Sequence, residues 1–297
     1  MGWKMYDLKQ YLEINRNLYE QVFSNINDDC FKTVTLRYQY IKFNPSKEPK
    51  FDKLINILSE HITQYCFSVS KRANKSESER NRLYREARDL FRRLSRAGEL
   101  GEMILWFLLE SVLQAPQVVA KMDLKTNRND EVKGADGLHV KINNDILEIL
   151  FGEAKLYKDL NAALSSAFES IENFYDNKEQ IKREYNLITT HYKWLKEGEQ
   201  QQVYDFISGN IEADEVKIKF ACLIGFDWDE YQKLDNPEER SIFIDNFISI
   251  YKTKSEEIKN KIERKFGSFK HKHLEIDIFI LPFKSVEDMR KRFGNGL

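Results

Sequence analysis

The chain is poor in the residues that open a fold or staple it. Among 297 residues there are 12 glycines and 5 prolines, too few for long disordered linkers. Three cysteines, Cys30, Cys66 and Cys222, stand far apart with no CxxC pair. That spacing suggests neither a zinc knuckle nor a disulfide framework, and points to reduced, packed thiols in a cytoplasmic protein. Of five histidines only His271 and His273 stand close together, between lysines in a polar segment that is expected to be a solvated turn. No apolar run approaches the ~20 residues a membrane span requires, and the N-terminus lacks the apolar stretch of a signal peptide. Charge of one sign is also missing overall. With a formal net charge of −1, any surface for a polyanion must be local.

What is present is a core's worth of apolar residues, 41%, under a surface rich in charge, with 32% Asp, Glu, Lys and Arg. Residues 31–41 are rich in Thr, Val and Tyr and predict a strand. Leu54, Ile55, Leu58, Ile62 and Cys66 fall at helical spacing across residues 51–67. A helix from about residue 81 carries Leu83, Ala87, Leu90 and Leu94 on one stripe and Arg85, Arg88, Arg92 and Arg96 on another. Residues 71–96 hold ten Lys/Arg against four Asp/Glu, the strongest basic patch in the chain. It reads equally as a solvated face or as a phosphate-contacting surface. Gly98 is expected to end that helix. Residues 99–113 (ELGEMILWFLLESVL) predict a mostly buried helix, and residues 118–124 a strand. Residues 126–130 read as a polar turn.

Residues 137–142 and 146–156 then predict a β-hairpin, followed by an amphipathic helix capped by Asp159. Leu160, Ala163, Leu164, Ala167, Phe168, Ile171 and Phe174 lie on its apolar face. Residues 180–213 read as polar helix, 216–226 as a central strand, 239–266 as charged helix, 274–282 as a strand and 286–293 as a closing helix. The fold class expected is α/β: a mixed central sheet flanked by helices. The division expected is an N-terminal region, residues 1–80, and a main domain, residues 81–297.

The chemistry concentrates at the hairpin. Asp136 lies in the Gly134-Ala135-Asp136-Gly137 turn that opens its first strand, and Glu153 and Lys155 end its second. Residues two apart share a strand face, and paired strands lie about 4.8 Å apart, so Asp136 can come opposite Glu153. Two converging carboxylates repel unless a cation sits between them. Mg²⁺ suits, since it takes hard oxygens and is commonly held by one or two carboxylates; the Ala154 carbonyl can add an oxygen. Lys155 would orient or deprotonate the attacking water, or stabilise charge on a phosphate. Glu99 and Glu102, three apart on the preceding helix, supply a further acid. Glu102 is favoured because it abuts the apolar MILWF segment. A bare Asp…ExK match is weak, as Glu197 to Glu199 in KEGEQ illustrates. A simple surface ion pair between Glu153 and Lys155 is the plain alternative.

Glu102, Asp136, Glu153 and Lys155 resemble the PD-(D/E)xK nuclease pattern in order, placement and residue type. The stretches RAGELGEMIL, KMDLKTNRNDEVKGADGLHV and ILFGEAKLYKDLNAALSSAFESI resemble the HamA nucleases of Hachiman anti-phage defence systems. That resemblance implies a restriction-endonuclease-like core with an N-terminal extension, and a Mg²⁺-dependent deoxyribonuclease, with Mn²⁺ as a possible substitute. It implies Glu102, Asp136 and Glu153 as metal ligands and Lys155 as the catalytic lysine. It further implies a HamB-like superfamily 2 helicase as partner in a heterodimer, with DNA as substrate. Gly-Ala-Asp-Gly stands where the superfamily has Pro-Asp. Lys121 and Tyr157 fall in the matching stretches, Lys121 as a phosphate contact and Tyr157 as packing under the site, or both as structural residues. The competing functions are a non-catalytic subunit that binds the helicase and holds DNA, and a structure-specific repair nuclease. For residues 1–80 the expected role is partner docking.

Overall fold

A computed structural model describes residues 7–92, 98–124, 134–144, 146–190, 216–234 and 239–296. Helix α1 (Arg16–Val22) leads directly into β1 (Phe23–Phe31) and β2 (Val34–Ile41). Four helices follow: α2 (Phe51–Glu60), α3 (Ile62–Cys66), α4 (Val69–Arg72) and α5 (Glu77–Arg92). Helix α6 (Glu99–Ser111) precedes the hairpin of β3 (Gly137–Asn143) and β4 (Ile146–Tyr157). Then come α7 (Leu160–Asp176), α8 (Lys178–Thr190), β5 (Val216–Asp227), α9 (Glu230–Lys233), α10 (Arg240–Ser268), β6 (Glu275–Phe283) and α11 (Val286–Gly296).

The six strands form one sheet in the order β1-β2-β6-β5-β4-β3. The inner pairs β2–β6, β6–β5 and β5–β4 are parallel, and the outer pairs β1–β2 and β3–β4 are antiparallel. This is the mixed sheet flanked by helices that the sequence predicts. Parallel strands are buried on both faces, which is why β5 and β6 read as nearly unbroken apolar runs. Along β4 the alternation sorts two cores: Leu147, Ile149 and Phe151 face one, and Leu150 and Leu156 the other.

The first core is covered by α7 and α10. Every apolar position expected on α7 is buried, and Asp159 caps it by accepting from the Ala162 N–H at 2.8 Å. Helix α10 buries Phe243, Phe247, Tyr251, Ser255, Ile258, Ile262 and Phe266, a seam at three- and four-residue spacing. The second core is covered by α2, α3, α5, α6 and α11. From Leu100 to Ser111 every residue of α6 is buried except Glu102.

Several expectations need correction. Strand β1 (FSNINDDCF) was not anticipated, because an edge strand pairs on one side only and can stay polar; a bulge between Asn25 and Asp28 interrupts it. Residues 118–124 are not a strand. Val118, Val119 and Ala120 are buried, yet the backbone makes one bridge, Gln117 to His139, before a 3-10 turn at Lys121–Leu124. An apolar run reports burial, not conformation. The helix expected at 51–67 is two helices meeting at His61. Gly98 is the N-cap of α6. The stripe on α5 is Leu83, Ala87 and Phe91, with Leu90 at its margin. Leu94, the turn at 126–130 and the segment 191–213 lie outside the described residues.

The boundary at residue 80 does not separate two cores. Strand β2 pairs with β6 from Val34↔Ile276 to Tyr38↔Ile280 inside the same sheet, and α2 and α3 pack in the same core as α6. All three cysteines are free, with Cys66 and Cys222 buried. His271 Nε2 donates to Asp176 Oδ1 at 2.8 Å, and His273 Nε2 shares a hydrogen bond with the Tyr175 hydroxyl at 3.1 Å. No helix of the described residues is long and apolar enough to cross a membrane.

Candidate metal and nuclease centre

Asp136 enters β3 through two backbone contacts. Its N–H donates to the Gly152 carbonyl at 2.8 Å, and its Oδ2 accepts from the Ala154 N–H at 2.8 Å. These bonds continue the β3–β4 pairing one residue past Gly137↔Gly152 and bring Asp136 alongside Glu153. Glu153 and Lys155 share a face of β4, and Lys155 Nζ lies 2.6 Å from Glu153 Oε1. Their side chains are only 16% and 19% exposed, so this is not the solvated surface pair of the plain alternative.

Glu102 arrives from the other side of the strand end. Helix α6 lies so close to β4 that a Cβ on Gly101 would sit 3.2 Å from the Ala154 Cβ and 3.1 Å from Leu156 Cγ. This approach sets the first turn of α6, and with it Glu102, near Asp136. The Tyr65 hydroxyl of α3 donates to Glu102 Oε2 at 3.4 Å, its ring packed on Trp106 and Phe91. Tyr65 escaped the sequence reading because a buried tyrosine in an apolar helix looks like ordinary core.

The electrostatics follow from this crowding. Burial pushes the Asp136 carboxyl well above the usual carboxylate range, and the charges of Glu153 and Glu102 push it further. The Ala154 N–H and Lys155 only partly offset this. Burial would lower the Lys155 ammonium, but the Glu153 charge and hydrogen bond, with Asp136, outweigh it and raise it. Burial raises the Tyr65 hydroxyl well above its ordinary value, reinforced by Glu102, so it stays a protonated donor. Cys222, across from Glu153 on β5, is held as a neutral thiol by burial and by the Glu153 charge.

The turn that carries Asp136 has its own supports. Glu184 of α8 is 1% exposed, and its Oε1 accepts from the Ala135 N–H at 3.2 Å and from Lys121 Nζ at 2.7 Å. Lys121 also donates to the Ala135 carbonyl. The Lys121 ammonium is therefore engaged in the fold rather than presented as a bare phosphate contact. Gly134 has φ +145°, and a Cβ there would lie 1.8 Å from Glu184 Oε1, so only glycine fits. Tyr157 does not pack under the site: it is 38% exposed, with its hydroxyl 3.2 Å from Ser166 Oγ on α7. On α5, Arg85 is exposed and Arg88 lies half-buried with its guanidinium 5.8 Å from the Tyr84 ring. Arg92 ends that helix, and Arg96 lies outside the described residues. Glu99 shares the first turn of α6 with Glu102.

The truly buried acid of α6 is Glu110, 1% exposed, and its work is structural. Oε2 accepts from the Glu13 and Ile14 N–H groups at 2.7 and 2.9 Å, and Oε1 from Trp106 Nε1 at 2.9 Å and the Gln117 N–H at 3.2 Å. The sequence argument that a carboxylate in an apolar helix has a use holds for it, but the use is packing.

Among the described residues no three carboxylate, imidazole or thiol side chains converge closely enough to enclose a metal ion unaided. The donors at hand are hard oxygens: Asp136, Glu153, Glu102 and the Ala154 carbonyl. They suit an ion that takes one or two carboxylates and keeps several waters, as Mg²⁺ does. A cation beside Asp136 would relieve the crowding that holds its carboxyl above the ordinary range.

The protein is thus of the mixed α/β class, with an acid-and-lysine cluster where β4 leaves its antiparallel partner β3. The chain belongs to the HamA family, whose profile matches residues 15–297. A comparison with curated proteins finds no match. Membership of this family fits a component of a Hachiman anti-phage defence system. The match spans β1, β2 and the helices after them as well as the hairpin.

Proposed function

We propose that the protein is a Mg²⁺-dependent deoxyribonuclease acting as the effector of a defence complex with a helicase. The observation that carries this reading is the position of Asp136, crowded by Glu153 and Glu102 with Lys155 on the adjoining strand. Asp136 and Glu153 would hold the ion, with the Ala154 carbonyl and Glu102 completing the oxygen donors. When bound, the ion supplies Lewis acidity toward the scissile phosphate and a more acidic water. Lys155, raised toward its charged form by Glu153 and Asp136, holds the attacking water and stabilises the charge that gathers on the phosphoryl oxygens. Its ammonium lies 2.6 Å from Glu153 Oε1, so Lys155 would share that carboxylate with the ion.

DNA is the substrate of this reading, with Arg85, Arg88, Arg92 and Arg96 as the basic stripe that would track phosphates. The near-neutral net charge suits a nuclease that receives its DNA from a HamB-like helicase rather than one that captures it alone. The test is plasmid degradation by protein purified alone and with its helicase, with Mg²⁺ and with EDTA. Glu153→Ala and Lys155→Ala are expected to abolish cutting in both settings. Cutting by either variant at the wild-type rate, or undiminished cutting in EDTA, would refute the site.

The second reading, a DNA-holding subunit without chemistry, is disfavoured by the near-complete set of acids and lysine at one strand end. Calorimetric titration with Mn²⁺ in the presence of DNA separates the two, since a holding subunit takes up no ion.

A further inference from the structure

The proposed nuclease centre needs Asp136 in one place, yet Asp136 sits on a glycine turn rather than within a strand. What holds that turn is α8. We propose that Glu184, with Lys121, is a positioning pair for Asp136, and that α8 is thereby a working part of the site. This deepens the nuclease reading and rests on it.

The geometry is specific. One oxygen, Glu184 Oε1, accepts from both the Ala135 N–H at 3.2 Å and Lys121 Nζ at 2.7 Å, while Lys121 returns a bond to the Ala135 carbonyl. Both polar groups of the Ala135 backbone are therefore gripped, one residue before Asp136. On the far side, Asp136 N–H is tied to Gly152. The aspartate is clamped between a side-chain latch and a sheet bond. Burial makes the latch stringent, since Glu184 is 1% exposed and Lys121 11%. A buried carboxylate and ammonium hold their geometry because separating either leaves an uncompensated charge. Gly134 completes the fit: its left-handed backbone and missing Cβ make room for Glu184 Oε1. Among the described residues the second oxygen, Glu184 Oε2, is buried and has no hydrogen-bond partner. The pair thus spends its bonding on the turn.

This arrangement separates two substitutions. Glu184→Gln can keep its Oε1 on both donors, with its amide nitrogen in place of the idle Oε2. Glu184→Leu fills the space but accepts from neither donor. The experiment uses the full-length chain, metal-free and with Mn²⁺. Hydrogen exchange is followed for peptides covering residues 134–140, and Mn²⁺ binding by calorimetry, well below each variant's Tm. In Glu184→Leu, exchange at the turn is expected to rise at least about tenfold and Mn²⁺ affinity to fall about tenfold or more. Glu184→Gln is expected to stay within about threefold of wild type on both. Ile262→Ala, a buried α10 position in the same apolar core as Ala135 but with a side chain that makes no hydrogen bond to the turn, supplies a control that loses stability without removing the latch.

Unchanged exchange at residues 134–140 in Glu184→Leu overturns the positioning role, whatever the metal data show. Equal losses of Mn²⁺ affinity in Glu184→Leu and Ile262→Ala also overturn it, since a general loss of stability then accounts for the effect. Failure of the nuclease reading looks different: wild type would take up no Mn²⁺ and Asp136→Ala would match it, while the exchange readout still reports on the latch.

Discussion

Replacing Glu110 by glutamine tests the structural accounting most directly. The carboxylate faces four donors in two pairs, Glu13 and Ile14 N–H on one oxygen, Trp106 Nε1 and Gln117 N–H on the other. A carboxylate serves both pairs; an amide serves one and presents its own NH₂ to the other, and flipping it only exchanges which pair is lost. Two buried donors are then left facing a donor. At about 1–3 kcal/mol for each stranded buried group, and with the two not fully additive, the expected loss is about 2–4 kcal/mol. For a chain of this size that lowers Tm by roughly 3–6 °C. The assay is thermal and urea unfolding at neutral pH, with m compared between the two proteins so that the loss is assigned to the folded state. The donors belong to the segment before α1, to α6 itself and to the segment after it. Hydrogen exchange should therefore rise first at residues 13–18 and 115–118. A loss below about 0.5 kcal/mol, on the scale of an ordinary surface substitution, would refute the buried four-donor arrangement.

Three further outcomes follow from the site. Asp136→Asn should stabilise the metal-free protein at neutral pH. Asp136 is raised above its unfolded value, so the folded state binds more protons between the two values and stability falls as pH rises through that window. The advantage of asparagine should therefore shrink as pH is lowered toward the ordinary aspartate range; a Tm difference independent of pH in EDTA would contradict it. Lys155→Ala should abolish cleavage while leaving Mn²⁺ affinity equal to wild type or tighter, because the ammonium 2.6 Å from Glu153 competes with the ion; calorimetry showing lost affinity would make Lys155 a structural prop. Gly134→Ala meets both a φ of +145° and a Cβ 1.8 Å from Glu184 Oε1. A cost of at least about 1–3 kcal/mol is expected, read by urea unfolding, together with loss of the Asp136 site.

Much of the fold is legible in the chain because burial imposes a period. The seven apolar positions of α7 repeat at helical spacing and are the seven that pack. The parallel strands β5 and β6 are covered on both faces beyond their charged first residues, and there they read as apolar runs. The site is legible in part for a similar local reason: Glu153 and Lys155 are two apart on one strand, and a hairpin turn of this length leaves little freedom in where Asp136 can land.

The α/β class, the hairpin and the acid-and-lysine strand end can be read along the chain, because each depends on residues close together in it. The rest came from tertiary packing. It set β1 and β2 into the same sheet as the hairpin, because β2 pairs with β6 more than 200 residues away. It assigned Glu110 to packing, since burial and four donors drawn from three segments cannot be read from a helix pattern. It brought Tyr65 to Glu102 and Glu184 to Ala135, 37 and 49 residues apart. The physical reason is the same in each case. Periodicity records which side of an element is buried, whereas a hydrogen bond between distant segments leaves no trace until the elements have docked.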